Sequence, residues 1–212
     1  MMRIILVAMV LMVSSCSTIY YNTWEFFGRE KRDILAAKME DAADSQEDAK
    51  EQFKDSLEVI REQYNFKNDE LADVYDELSD DYESFKKRSD DLKNRISRAR
   101  EVADDLFDEW KDEAYSFTNK SYRRQSLNKR KVTMKKFYET ANAMSGIQQK
   151  MEKVLSRYHE HVLFLKHNLN AKVIGQLKVE MKNIMGDVEN LIKDIQYSQK
   201  KTTDFISDLE RA

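Results

Sequence analysis

Apolar residues recur along this chain in steps of three and four, the spacing that places them on one face of an α-helix. The pattern is interrupted near residues 65–69, 116–121 and 167–170, where Asn, Asp, Ser and Thr side chains can cap a following helix. The sequence therefore predicts four helices: residues 23–64, residues 70–115, a third ending near residue 165, and a fourth from residue 171, capped by Asn170. Without the third interruption the last two would form one element.

The apolar seam of the second predicted helix is the clearest, because every step along it is three or four residues. Its members are Leu71, Tyr75, Leu78, Tyr82, Phe85, Ser89, Leu92, Ile96, Ala99, Ala103, Leu106 and Trp110. Such a pattern is typical of coiled-coil packing. Helices of similar length with short connections favour an all-α fold, an elongated antiparallel bundle about 60 to 70 Å long.

The third predicted helix carries three methionines in its seam, Met134, Met144 and Met151. Methionine is flexible and fills irregular gaps, so the seam is interpreted as core, with a groove for a partner helix as the alternative.

Composition supports long helices with solvated faces. The chain has no proline, only four glycines and 35% charged residues, which makes turn-rich strands and hairpins improbable. Acidic residues outnumber basic ones from residue 30 to 113, and the reverse holds from residue 120 to 182. Packing of a basic helix beside an acidic one explains this asymmetry, and binding of nucleic acid or anionic lipid by the basic part is the alternative.

The beginning of the chain has the layout of an export signal. Arg3 precedes an apolar segment, residues 4–13, and Ser14 and Ser15 follow it. The apolar segment is about ten residues long, whereas a membrane-spanning helix needs roughly 20. Cleavage of the segment is therefore expected.

The residues Val13, Ser14, Ser15 and Cys16 resemble the bacterial lipobox, in which the cysteine receives a diacylglyceryl group through a thioether. The resemblance implies a lipoprotein anchored through Cys16, the only cysteine in the chain. An ordinary cleaved signal and a retained anchor are the alternatives. Ser17 takes the place of the aspartate that retains enteric lipoproteins at the inner membrane, so the outer membrane is favoured.

A short aromatic stretch follows Cys16. Aromatic rings of this kind favour the membrane–water interface, and they could equally cap the helical core. The candidates for membrane contact are Tyr20, Tyr21, Trp24, Phe26 and Phe27. The predicted organisation is a signal peptide (1–15), a lipidated aromatic tether (16–28) with a hinge at Gly28, and one elongated helical domain (29–212).

No catalytic or metal-binding constellation emerges from the sequence. His159 and His161 lie about 200° apart on a helix, and no Glu-x-x-His, His-Glu-x-x-His or Gly-rich phosphate motif is present. The acidic pairs are interpreted as solvated faces: Asp80 with Asp81, Asp90 with Asp91, and Asp104 with Asp105. We expect no enzymatic activity, cofactor, metal or small-molecule substrate.

Several stretches resemble an uncharacterised family of proteobacterial proteins, known as domain of unknown function 2959, many of which look like lipoproteins. They are YNTWE at 21–25, GREKRDIL at 28–35, AKEQF at 49–53, LFDEW at 106–110 and VLFLKHNLNA at 162–171. The resemblance implies export and lipidation, and it brings no activity.

The sequence thus predicts a cell-envelope lipoprotein with a structural, scaffold or adaptor role in the periplasm. Its expected partners are the membrane, through Cys16, and an envelope protein or a second copy of the chain, with no nucleic acid. The alternative function is binding or remodelling of a membrane surface by the helical body, through the aromatic start and the basic third helix.

Overall fold

Four long helices account for nearly all of the structure. The computed structural model describes residues 16–63, 71–168 and 174–211. The helices are α1 (Cys16–Gln63), α2 (Leu71–Ser116), α3 (Lys120–His167) and α4 (Ile174–Glu210). The all-α prediction is confirmed, and α3 and α4 are separate helices rather than one.

The helices form a closed antiparallel ring in which each packs against two others. α1 packs on α2, α2 on α3, α3 on α4, and α4 returns to α1. The antiparallel order is visible in the cross-helix pairs, because Asp48 on α1 meets Arg88 on α2 while Lys31 meets Glu109 farther along. Each helix can therefore bury one apolar face at the centre of the bundle.

The predicted seams supply most of the core. Large side chains that are almost completely buried include Leu35, Met39, Phe53, Ile60, Leu78, Phe85, Leu92, Leu106, Phe107, Phe137, Met144 and Tyr158. At the centre, the rings of Phe53 and Phe85 meet edge to face with centroids 4.2 Å apart. The methionines Met144 and Met151 are buried in this core, and Met134 packs at its margin, so they do not line a groove for a partner helix.

The seam of α2 differs from the prediction in its first four turns. Val74 and Asp81 are buried, whereas Tyr75 and Tyr82 are only partly buried and pack around the core. Tyr75 and Tyr82 were the residues predicted for these two positions of the seam. The actual seam runs in steps of three, four, three and four from Leu71 through Val74, Leu78 and Asp81 to Phe85, whereas the predicted seam had the order four, three, four and three.

A polar layer interrupts the core between α1 and α4. Gln46 is completely buried, and its Nε2 donates to Ser198 Oγ at 3.0 Å. Thr202, one turn further along α4, is also buried and donates to the carbonyl oxygen of Ser198 at 3.1 Å. A buried hydrogen-bonded pair of this kind favours one alignment of the helices, because sliding either helix would leave its polar groups unpaired.

The basic helix α3 does lie beside the acidic α2, as predicted, but most of its cross-helix ion pairs are with α4. Lys150 meets Asp194 at 2.6 Å and Lys136 meets Asp208 at 2.7 Å. Arg157 pairs with Asp187 in the same way. These groups are largely exposed, so each pair contributes about 0 to 1 kcal/mol and serves alignment more than stability.

Some of the helix ends have the capping residues that the sequence predicts. Asn119 caps α3, since its side-chain oxygen accepts from the backbone nitrogen of Ser121 at 2.8 Å. α3 ends at His167, and the backbone nitrogen of the following residue, Asn168, donates to the carbonyl oxygen of Leu165 at 3.1 Å. The turn predicted at residues 65–69 and the cap predicted at Asn170 lie outside the described residues.

α1 begins earlier than predicted. It is helical from Cys16 rather than from Thr23, and the helix is continuous through Gly28, where the sequence suggested a hinge. The tether predicted for residues 16–28 therefore has the backbone of the first turns of α1.

Candidate functional site

The predicted site residues gather at one end of the bundle. The lipobox residues Val13, Ser14 and Ser15 lie outside the described residues. Cys16 is the first residue of α1, and the five aromatic candidates, Tyr20, Tyr21, Trp24, Phe26 and Phe27, follow on the same helix. The structure describes only the helical backbone of these residues, so their contacts with solvent or with other helices stay predictions.

The beginning of α1 packs beside the end of α2. Lys31 Nζ lies 2.8 Å from a carboxylate oxygen of Glu109, and the guanidinium of Arg32 lies 4.6 Å from the ring centroid of Trp110. Trp110 Nε1 in turn donates to Ser126 Oγ on α3 at 3.0 Å. Three helices are therefore joined at this level.

The start of α1 extends beyond the turn between α2 and α3. With a rise of about 1.5 Å per residue, Cys16 lies about 22 Å beyond Lys31, and Ser116 lies about 10 Å beyond Glu109. Cys16 is thus about 12 Å farther along the bundle axis than the end of α2. An attachment at Cys16 would hold the turn between α2 and α3 close to the attached surface.

The turn and the first part of α3 form a surface that we call the tip, residues 115–131. Arg123 braces it, since one guanidinium nitrogen donates to the carbonyl of Phe117 at 2.7 Å and the guanidinium lies 5.8 Å from the ring centroid of Tyr115. Phe117 and Tyr122 meet edge to face at 6.4 Å. Contacts within the tip therefore hold these side chains in place.

The tip is exposed, aromatic and basic. Tyr115, Phe117 and Tyr122 are 56%, 42% and 59% exposed. It contains six lysine and arginine residues, and no acidic residue occurs between positions 114 and 138. α4 does not cover it, because Lys136 on α3 already pairs with Asp208, close to the end of α4.

A second polar feature is a buried carboxylate in the middle of the bundle. Asp81 on α2 is 8% exposed and accepts three hydrogen bonds, from Ser56 Oγ at 2.8 Å, Gln52 Nε2 at 3.0 Å and the Tyr158 hydroxyl at 2.7 Å. The interpretation of Asp81 as part of a solvated face is wrong, while Asp80 beside it is exposed. The helical period explains the difference, because Asp81 lies between Leu78 and Phe85 on the buried face.

Burial sets the protonation of this cluster. It raises the pKa of Asp81, although the hydrogen bonds from Tyr158, Ser56 and Gln52 act in the opposite direction. Burial, together with the charge of Asp81, raises the pKa of Tyr158 far above the physiological range, so its hydroxyl stays a donor. With its donors drawn from α1 and α3 and its carboxylate on α2, the cluster joins three helices and leaves no oxygen of Asp81 free for a substrate.

A groove with a volume of about 810 Å³ runs between α3 and α4. Its lining mixes both charges, including Arg157, Asp187 and Glu180, and Arg157 already pairs with Asp187. His161 also lines it, but the Nε2 atom of this histidine is covered by protein and has no hydrogen-bond partner. The groove wall therefore combines an ion pair with a covered histidine.

We expect His161 to make the protein less stable in acid. Burial lowers its pKa in the folded state, so the unfolded chain binds a proton more readily, and stability falls as the pH drops below about 6.5. The loss amounts to at most about 1.4 kcal/mol per pH unit within the window between the two pKa values. Thermal unfolding of wild type and His161→Leu between pH 7.5 and 5 measures it. An equal loss of stability in both proteins would contradict the assignment to His161.

The histidines do not form a metal site. His161 faces the core, while the exposed His159 stacks on Tyr82 with ring centroids 4.9 Å apart. Within the part of the chain that the structure describes, no group of three or more His, Cys, Asp or Glu side chains is arranged to hold a metal ion. None of the helices in the same ranges has an apolar stretch that would span a bilayer.

An anchor at Cys16 and a basic region from residue 120 to 182, with binding of nucleic acid or anionic lipid as an alternative, were predicted from the sequence, whereas the tip was not singled out. The tip lies on the far side of a chain interruption, and its aromatics fall outside the apolar seams. The long stretch without acidic residues was a usable signal for it.

The family model described as "Protein of unknown function (DUF2959)" matches residues 20–209. No curated protein and no solved structure matches the chain.

Proposed function

This chain belongs to the DUF2959 family of proteins of unknown function, and we propose that it is a bacterial cell-envelope lipoprotein with a structural, scaffold or adaptor role. One observation carries the proposal: Cys16, the last of the lipobox-like residues Val13 to Cys16, belongs to the helical backbone of α1. A lipid on Cys16 would thus be attached directly to the first turn of a long helix. The bundle then stands on its anchor without a flexible segment of the usual Gly- or Pro-rich kind.

The anchoring energy favours lipidation over the apolar segment alone. Each buried methylene contributes about 0.8 kcal/mol, and one acyl chain binds only marginally, whereas two or three chains on one cysteine hold firmly. The residue after the cysteine, Ser17, favours transfer to the outer membrane, with the bundle facing the periplasm.

The scaffold role is supported by the way the polar groups of the bundle are used. Asp81 is engaged by three donors, His161 is covered, and most of the cross-helix ion pairs align neighbouring helices. A rigid body of this kind suits holding two partners at a distance. An envelope protein or a second copy of the chain is the partner that we expect.

Metabolic labelling tests the anchor. Cells fed an alkyne palmitate are compared with cells that make Cys16→Ser, and we expect the label on the wild-type protein to be lost completely in the variant. Tyr197→Ser, an exposed change on α4, is the matched control and keeps the label.

Absence of label on the wild-type protein would overturn the lipoprotein proposal. Membrane fractionation of the same cells locates the anchored protein, and recovery in the inner membrane would contradict the outer-membrane assignment alone. Crosslinking in intact cells then identifies the partner: recovery of only monomers would count against the scaffold role.

A further inference from the structure

We propose that the tip, residues 115–131, is a second membrane-contact surface that binds the headgroups of anionic phospholipids. The inference rests on the proposed function, because that function puts the beginning of α1 at a bilayer. It adds a contact formed by the folded bundle itself and names the lipid class that this contact selects.

The charge of the tip is the first argument. Lys120, Arg124 and Lys131 are exposed, and among the described residues no carboxylate lies within ion-pair distance of them. Their charges are therefore not neutralised by ion pairs within the fold, unlike those of Lys136 and Lys150 on the same helix. An anionic membrane surface attracts each such residue by about 1 kcal/mol when it lies within a Debye length, about 8 to 10 Å.

The aromatic side chains are the second argument. Tyr115, Phe117 and Tyr122 are exposed among the basic residues, although burial of such rings is normally favourable. Tyrosine and phenylalanine next to lysine and arginine are typical of surfaces that lie in the headgroup region, where a ring meets the acyl boundary and a cation meets a phosphate.

Position is the third argument. The tip lies at the same end of the bundle as Cys16, and its nearest part, at Ser116, is about 12 Å short of Cys16 along the axis. The headgroup layer on one side of a bilayer is roughly 5 to 8 Å thick, and lysine and arginine side chains extend toward it. A modest tilt of the bundle on its anchor would bring the tip into contact.

Nucleic acid and acidic proteins are less suitable occupants. The tip is a turn followed by the exposed beginning of α3 rather than a groove that follows a backbone, and the proposed lipid attachment lies at the same end of the bundle. The combination of exposed rings and cations at the anchored end matches a flat anionic surface best.

A vesicle assay with the full chain carrying Cys16→Ser tests the tip without a lipid on the protein. Binding is measured by flotation with vesicles of phosphatidylcholine alone and of phosphatidylcholine with phosphatidylglycerol. The apolar residues 4–13 contribute similarly to both, so the readout is the ratio of the two partition coefficients. We expect Lys120→Gln with Arg124→Gln to lower this ratio on the order of 30-fold at low salt, since two charges are lost.

The matched control is Lys193→Gln with Lys200→Gln, which removes two exposed charges from α4 away from the tip. We expect it to change the ratio less than about threefold, and circular dichroism checks that all variants keep the helical fold. High salt should abolish the preference for anionic vesicles.

Three outcomes would overturn the proposal: a wild-type ratio near one, an unchanged ratio in the tip variant, or an equal loss in the control. Binding of a DNA duplex through Lys120 and Arg124 without binding to vesicles would do so as well. The test is separate from palmitate labelling, because the Cys16→Ser chain carries no anchor. A negative result in the vesicle assay would therefore leave the labelling result unaffected, and the reverse also holds.

Discussion

Replacing Phe85 with alanine should destabilise the bundle by about 3 to 5 kcal/mol, the range observed when a large aromatic side chain is removed from a core. Phe85 is completely buried and its ring meets that of Phe53 with centroids 4.2 Å apart. The substitution removes this contact and leaves a cavity between α1 and α2 that rigid helices close poorly. Urea unfolding followed by circular dichroism measures the change.

The effect is large compared with the total stability of a typical domain, about 5 to 15 kcal/mol. Phe85→Leu keeps most of the volume and should cost less than half as much. Tyr197→Ala, on a residue that is 64% exposed, should change stability by at most about 0.5 kcal/mol. A loss below about 1 kcal/mol for Phe85→Ala would show that the centre of the bundle is not packed as described.

Replacing Asp81 with alanine should cost about 2 to 4 kcal/mol. The change strands the almost completely buried hydroxyl of Tyr158, and an unsatisfied buried donor costs about 1 to 3 kcal/mol. Ser56 loses its bond to Asp81 but keeps the one to the carbonyl oxygen of Gln52 at 2.9 Å. The substitution also removes a carboxylate whose burial is unfavourable, which offsets part of this cost. Gln52 can turn toward water. Urea unfolding at pH 7 gives the value.

The neighbouring residue provides the control, since Asp80→Ala removes an exposed carboxylate one position away and should be nearly neutral. Tyr158→Phe deletes one donor and should cost less than Asp81→Ala, about 1.5 to 3 kcal/mol for a hydrogen bond to a charged group. If Asp81→Ala and Asp80→Ala lower the free energy of unfolding equally, the buried cluster does not contribute to stability as proposed.

The helices were predictable because their signals are local and repeated. Breaks near residues 116–121 and 167–170 and seams such as Phe137 to Leu165 depend only on spacing and capping, and the structure confirms them. The exchange of Tyr75 for Val74 in the seam was not predictable by hydrophobicity alone. Where two adjacent residues could both face inward, the neighbouring helices decide.

Asp81 shows why buried polar groups are harder to predict. A carboxylate in isolation belongs in water, and only its partners on other helices, Ser56 and Tyr158, make the buried position favourable. Those partners are 25 and 77 residues away in sequence. In the same way, only the structure shows that the turn after α2 lies at the same end of the bundle as the beginning of α1.

Because the bundle has an even number of antiparallel helices, the chain begins and ends its helices at the same end, and the length of α1 sets the distance to the other end. The beginning of α1, the turn between α2 and α3 and the end of α4 share one end, and the last residues of α1 and α3, Gln63 and His167, lie at the other. The two ends are about 70 Å apart along α1. A fluorophore at Glu62, an exposed residue near the end of α1, would therefore report on the solution far from an anchored Cys16, whereas one near the end of α4 would lie much closer to the anchor.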